Sequence, residues 1–189
     1  MSTIRTYTSK LIDLTAIAPS DIDIVDIAHS LSNLCRFNGH SRKFYSVAQH
    51  SCWVAAHCPP EYKLEGLLHD AAEAYIGDVT RPLKQLLGEP YKQLEQSIEL
   101  AIALRFGLTY PWPDSVKDAD NLACRCEQIT FWDGTTDSQT GEVRRAKSLS
   151  LHDRITPRPL PKDCFPTFLA IFHQLQRSRH EAASRAESV

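Results

Sequence analysis

The chain has 189 residues, 42% of them hydrophobic and 23% charged, with a formal net charge of -2. That length suits one domain with a real core, and that composition excludes a disordered chain. The near-neutral charge excludes a surface that coats nucleic acid, while leaving room for a local basic pocket.

No run approaches the roughly 18 apolar residues of a membrane span. The opening stretch "MSTIRTYTSK" carries no apolar signal core. The expectation is a soluble cytoplasmic protein with neither a membrane nor a nucleic-acid partner. The six cysteines, Cys35, Cys52, Cys58, Cys124, Cys126 and Cys164, form no C-x-x-C pair and read as reduced, mostly buried thiols. Cys124 and Cys126 diverge by about 200° on a helix and so do not share a metal.

Helical periodicity dominates from residue 23 onward. Ile24, Ile27, Ala28 and Leu31 predict a helix over 23–34. A second helix, 46–57, opens with Ser46 and Gln49 at capping-box spacing, and Pro59-Pro60 stop it. The third, "EYKLEGLLHDAAEAYI", is read as one helix closed by a left-handed cap at Gly77. A short helix follows Pro82. Residues 91–107 place Leu94, Ile98, Ala101 and Ile102 on one face and stop at Gly107. Asp114 is the expected N-cap of a helix over 114–132.

Phe168, Ile171, Phe172 and Leu175 predict a last helix over about 163–178. The polar tail after Gln176 is expected to fray. Residues 36–45, 108–113 and 133–163 are irregular, and "DGTTDSQTGEVRRA" reads as either a hairpin or a loose insertion. No repeat or second domain is visible. The fold class is all-α: a single helical bundle over 1–189.

The chemistry concentrates in "GLLHDAAEAYIGDV", residues 66–79, which holds His69, Asp70, Glu73 and Asp78 behind Leu67 and Leu68. Such groups are costly to bury unless paired or holding a metal. Glu73 is i+4 from His69 and i+3 from Asp70, so it lies over the same helical stripe. Imidazole with carboxylate suits a divalent transition metal such as Zn, Mn, Fe or Co. Two neighbouring ligands do not complete a site. His50 sits mid-helix on 46–57, and Asp120 sits mid-helix among Val116, Ala119 and Ala123.

Taken singly, each feature has an ordinary explanation. His50 alone suits a satisfied core histidine. Glu73 and Asp78 could cap helices or pair with Arg81 and Lys84. His152-Asp153, a second such dipeptide, reads as turn chemistry beside Pro157, and the other five histidines, His29 and His57 among them, read as structural. Only the ordered set outweighs these readings: histidine, then His-Asp-x-x-Glu, then a buried-looking aspartate on a third helix.

That set, His50…His69-Asp70…Asp120, is similar to the metal signature of the HD-domain phosphohydrolases. "HDAAEAYIGDVTRPLK" and "RFNGHSRKFYSVAQHS" resemble the small bacterial 5′-deoxynucleotidases and the phage deoxynucleoside triphosphohydrolases, dATP-degrading enzymes included. The likeness covers about residues 22–130. It implies an all-α HD-domain bundle and a metal held by His50, His69, Asp70 and Asp120, with Asp118 as a rival for the last ligand. Asp120 is preferred because the family's acid follows an alanine. The metal is expected to be Zn, Co or Mn, and whether a second divalent ion joins through Glu73 or Asp78 stays open.

By the same match Glu73 holds or activates the attacking water and Asp78 assists. Arg36 is the first choice for phosphate contact. For Arg81 and Lys84, phosphate contact and a solvated helix face are equally supported. Phe37 stands where some relatives carry tryptophan, beside the base or sugar, and Asn38, Gly39 and His40 shape the base pocket. The resemblance also implies a small-molecule nucleotide substrate, self-association into a homo-oligomer, and location in the host cytoplasm if the chain is phage-encoded.

Two hydrolyses share this apparatus. Attack on a monophosphate releases phosphate and a nucleoside; attack at the α-phosphorus of a triphosphate releases tripolyphosphate. The second needs more positive charge, which "SRK" at 41–43 and "TRPLK" at 80–84 supply. The expectation is a dNTP triphosphohydrolase converting dATP to deoxyadenosine and tripolyphosphate. The alternatives are a 5′-deoxynucleotidase acting on dNMPs or a non-catalytic, metal-bound nucleotide sensor. Glu73 and Asp78 argue against the sensor, which has no use for a water-activating acid.

Overall fold

The computed structural model describes residues 2–132, 134–136, 143–145, 153–157 and 160–186. It is mostly helical, and two of its helices begin at side-chain caps. Asp23 caps α1 (Ile24–Asn33) by accepting from the Val25 N–H at 2.9 Å. Ser46 caps α2 (Val47–His57) by accepting from the Gln49 N–H at 3.2 Å. Both caps satisfy donors that a helix N-terminus otherwise leaves unpaired. Downstream lie α3 (Lys63–Leu68), α4 (Glu73–Ile76), α5 (Arg81–Leu87), α6 (Glu89–Phe106), α7 (Asp114–Trp132) and α8 (Pro161–Ala186). Among the described residues, no helix is long and apolar enough to cross a membrane.

The core forms where apolar stripes of α1, α2, α3, α6 and α8 meet. Ile27, Leu31, Ala48, Leu67, Leu68, Ile98, Ile102, Phe168 and Phe172 are all buried there. Burying each large side chain contributes on the order of 1.5–3 kcal/mol. Helix α7 packs across α2 through Val116, Ala119 and Ala123 against Val54, and the site is built along that contact.

Three elements differ from the sequence expectation. The expected helix over 61–76 is broken: α3 ends at Leu68 and α4 begins at Glu73. Between them the N–H groups of Ala71 and Glu73 reach back only three residues, to Leu68 and Asp70, both at 3.0 Å. The His69 ring explains the break, because its Nδ1–H donates to the Gly66 carbonyl at 2.9 Å and satisfies an acceptor near the helix end. Gly77 then turns the chain at φ 81°, ψ 161°. That is a glycine-only extended region rather than the left-handed cap expected; Gly107, at φ 63° and ψ 42°, does form such a cap.

The last helix reaches Ala186 rather than about residue 178. Residues 177–186 are polar but rich in Ala and Arg, without glycine or proline, so intrinsic propensity carries the helix on. The sequence also gave no sign of the N-terminal hairpin, in which β1 (Thr3–Arg5) pairs antiparallel with β2 (Leu11–Asp13). In the irregular segment, β3 (Gly134–Thr136) pairs antiparallel with β4 (Val143–Arg145), so the hairpin alternative is the one found. Of the His152-Asp153 dipeptide, His152 lies outside the described residues. Asp153 sits in a turn with Oδ1 3.8 Å from His57 Nε2.

Candidate metal centre

Helix α2 supplies His50, the turn after α3 supplies His69 and Asp70, and α7 supplies Asp120. His50 Nε2 lies 3.4 Å from His69 Nε2. Asp120 Oδ1 lies 3.1 Å from the first of these nitrogens and 3.8 Å from the second. Ligand atoms of His50, His69 and Asp120 all fall within 4.8 Å of one another, so this group could hold a metal ion. Asp70 straddles the pair, with Oδ1 3.3 Å from His69 Nε2 and Oδ2 3.4 Å from His50 Nε2. Asp118 lies exposed on α7, while Asp120 turns inward.

The electrostatics show what this centre wants. Burial and the Arg36 charge oppose a proton on His50, yet Glu127 and Asp120 carry its pKa up to about 9. His69 is raised against its burial by Asp70 and Asp120. Burial disfavours the Asp120 carboxylate, but its hydrogen bonds to the two imidazoles drive its pKa far below the usual range. The field therefore favours positive charge between the rings, which a divalent cation supplies with release of the protons. On each ring Nδ1–H is already donated, from His50 to Glu127 and from His69 to the Gly66 carbonyl. Nε2 is left on both rings to face the shared centre, so these residues fit a metal.

Around this core lie the other sequence candidates. Glu73 is buried, and its Oε2 has no hydrogen-bond partner among the described residues. Burial, then Asp70 and Asp78, push its pKa well above the ordinary carboxylate value. Asp78 is raised too, first by burial and then by Asp70, against the Arg36 and Lys84 charges.

Arg36 is 8% exposed. Its Nη1 lies 3.7 Å from Asp70 Oδ2 and its Nη2 lies 3.0 Å from Glu127 Oε2. Phe37 follows at φ 56° and Asn38 at φ 51°, both in the left-handed region that costs a non-glycine residue about 1–3 kcal/mol. The Phe37 ring meets Trp132 edge-on at 4.9 Å. Asn38 and His40 are exposed.

Lys84 does not extend free into solvent. It pairs with Glu95 at 2.6 Å, and its charge is felt at Glu73 and Asp78. Arg81 is exposed at the start of α5, and no hydrogen bond or ion pair joins it to the cluster among the described residues.

Sequence reasoning missed Glu127 and Cys124. Glu127 is fully buried and accepts from His50 Nδ1–H at 2.6 Å. The Cys124 sulfur lies 3.5 Å from Arg36 Nη2, and burial first of all pushes its thiol up to about 11. The available signal was spacing: Asp120, Cys124 and Glu127 stand at i, i+4 and i+7, on one stripe of α7.

The molecule is thus a mostly helical protein with a two-histidine, one-aspartate candidate metal centre. No family model matches it. Two relatives do. The chain is 44% identical over 128 residues to YfdR of Escherichia coli K12, described as an uncharacterized protein, covering 68% of this chain and 71% of that one. It is 34% identical over 190 aligned positions to the Rhodobacter capsulatus protein RCAP_rcc00048, described likewise, covering 92% of this chain and 95% of that one. The chain belongs to the family these two proteins represent.

Proposed function

We propose that the chain is an HD-domain bundle that hydrolyses deoxynucleoside 5′-phosphates with a divalent transition metal, Zn, Co or Mn. The observation that carries this reading is the convergence of His50, His69 and Asp120 within 4.8 Å, beside a buried glutamate with an unpartnered oxygen. His50, His69, Asp70 and Asp120 are the proposed ligands. When bound, the ion polarises a phosphoryl oxygen and makes hydroxide available near neutral pH.

The remaining chemistry belongs to the chain. Arg36 binds the phosphate oxygens and offsets charge building up on them. Glu73 takes the proton of the water that attacks phosphorus. The bond from phosphorus to the 5′ oxygen breaks, the proton taken by Glu73 passes to the departing nucleoside, and Asp78, whose pKa burial raises, assists that transfer. Phe37 packs against the base or sugar. The same bond breaks whether one phosphate or three remain attached, so the residues serve both outcomes.

The resemblance favours the triphosphate, with dATP giving deoxyadenosine and tripolyphosphate. One observation favours the monophosphate: Arg36 is engaged by Glu127 and Asp70, and Lys84 by Glu95. Gripping β and γ phosphates competes with those pairs. Incubation with Co, Mn or Zn and a panel of dNMPs and dNTPs separates the readings. Tripolyphosphate supports the first and inorganic phosphate the second. No product under any metal returns the sensor and sinks the enzyme. Asp70→Ala is expected to lose both metal and turnover; metal retained in the purified variant removes Asp70 from the ligand set.

A further inference from the structure

Glu127 is fully buried on α7 and has both oxygens occupied. Oε1 accepts from His50 Nδ1–H at 2.6 Å, and Oε2 accepts from Arg36 Nη2 at 3.0 Å. Under the function proposed above, on which this inference rests, those two partners grip different things: His50 the metal and Arg36 the phosphate. They come from different elements, α2 and the turn at Arg36–Gly39. A single carboxylate spans them.

The consequences are geometric. With Nδ1–H committed to Glu127, the His50 ring is fixed in tautomer and tilt, and its Nε2 faces His69 and Asp120. With Nη2 committed to Glu127, the planar guanidinium of Arg36 has its Nη1 aimed at Asp70, 3.7 Å away. The Tyr45 carbonyl accepts from the Arg36 N–H at 2.9 Å and pins the backbone end of the same residue. We propose that Glu127 is a positioning residue, one carboxylate holding the metal-binding imidazole and the phosphate-binding guanidinium in register. A merely structural ion pair would alter stability alone. A register residue also alters two binding constants that it does not itself touch.

Glu127→Gln keeps the shape and removes the second acceptor. Calorimetric titration of the full chain with Mn²⁺ is expected to show affinity weaker by about 10–100-fold, the usual effect of removing a carboxylate behind a metal-binding histidine. At saturating Mn²⁺, inorganic phosphate is expected to bind several-fold more weakly than to the wild type. Arg36→Lys reads the arrangement from the other side and is available should Glu127→Gln fail to fold. It keeps the positive charge but loses the fork, so a several-fold loss of Mn²⁺ affinity reports the register and not the charge. Unchanged Mn²⁺ affinity in either folded variant overturns the proposal, as does unchanged phosphate binding in Glu127→Gln. These readouts need no turnover. No hydrolysis across the nucleotide panel, with both binding effects present, sinks the proposed function and leaves this one standing.

Discussion

Two glutamates, Glu127 on α7 and Glu65 on α3, are both wholly inaccessible to solvent, yet their surroundings differ. Glu127 meets two buried side chains, His50 and Arg36, one on each oxygen. Against its burial these charges bring its pKa down to about 2. Glu65 meets the Thr109 N–H at 3.0 Å and, at 3.6 Å, the guanidinium of Arg179, whose side chain is 44% exposed. Its Oε2 has no hydrogen-bond partner among the described residues. The first carboxylate joins side chains beside the candidate metal centre; the second ties α3 to the loop after α6 and to α8. Burial alone does not mark a functional acid. What separates these two is the number and burial of their partners.

The largest expected contrast is catalytic. Glu73→Gln should lower kcat by on the order of 10²–10⁴, the usual worth of a positioned base, while binding Mn²⁺ as wild type does. Glu65→Gln, in the other region, should leave kcat within about twofold. Steady-state kinetics on the same nucleotide check both, and an equal loss in the two variants would erase the division.

Stability gives the next contrast. Glu127→Ala leaves the Arg36 charge buried and under-compensated, at a cost of about 3–5 kcal/mol. Urea unfolding followed by circular dichroism measures it, and a loss below about 1 kcal/mol would mean that water or a rotated side chain already serves Arg36. Metal removal ranks third. Mn²⁺ at a hundred times its dissociation constant should stabilise the protein by about 2.7 kcal/mol, and a chelator should reverse it. Glu65→Gln should keep that gain and Asp120→Ala should lose it.

How far the sequence reached follows from the same physics. Helix α1 was readable from the apolar stripe that Ile24, Ile27, Ala28 and Leu31 form, and α2 from Ser46 at its start; Asp114, expected as the N-cap of α7, is instead that helix's first residue. His50 and Asp120 were readable because each is a polar group on such a stripe. Glu127 was not, because its partner lies 77 residues away; from sequence alone, an acid one heptad beyond Asp120 passes for a solvated one. The break between α3 and α4 was hidden as well, since a ring-to-carbonyl bond from His69 to Gly66 makes it, and no glycine or proline announces it. Lys84 kept two readings until Glu95 was seen to occupy it. Strands of three residues, such as Thr3–Arg5, carry too little alternation to be read.

Glu65→Gln retains an acceptor for the Thr109 N–H and puts an amide NH2 in place of the second oxygen, so its expected cost is about 1 kcal/mol or somewhat more, the difference between a charged and a neutral hydrogen bond together with a buried donor to satisfy.

The smallest effect tests the clamp from its outer side. Arg179 lies in the part of α8 that extends past residue 178, and its contact with Glu65 is long, with the guanidinium side half-exposed. Exposed ion pairs contribute about 0.2–1 kcal/mol, and at 1 M salt the screening length falls to about 3 Å. Arg179→Ala should therefore cost less than about 1 kcal/mol. The gap to wild type should narrow further in 1 M NaCl, and faster amide exchange should be confined to the end of α8 beyond Arg177. A cost above about 2 kcal/mol, undiminished by salt, would mean that Arg179 compensates Glu65 as Arg36 compensates Glu127. The two carboxylates would then be alike in energy, and only their distance from the imidazoles would separate them.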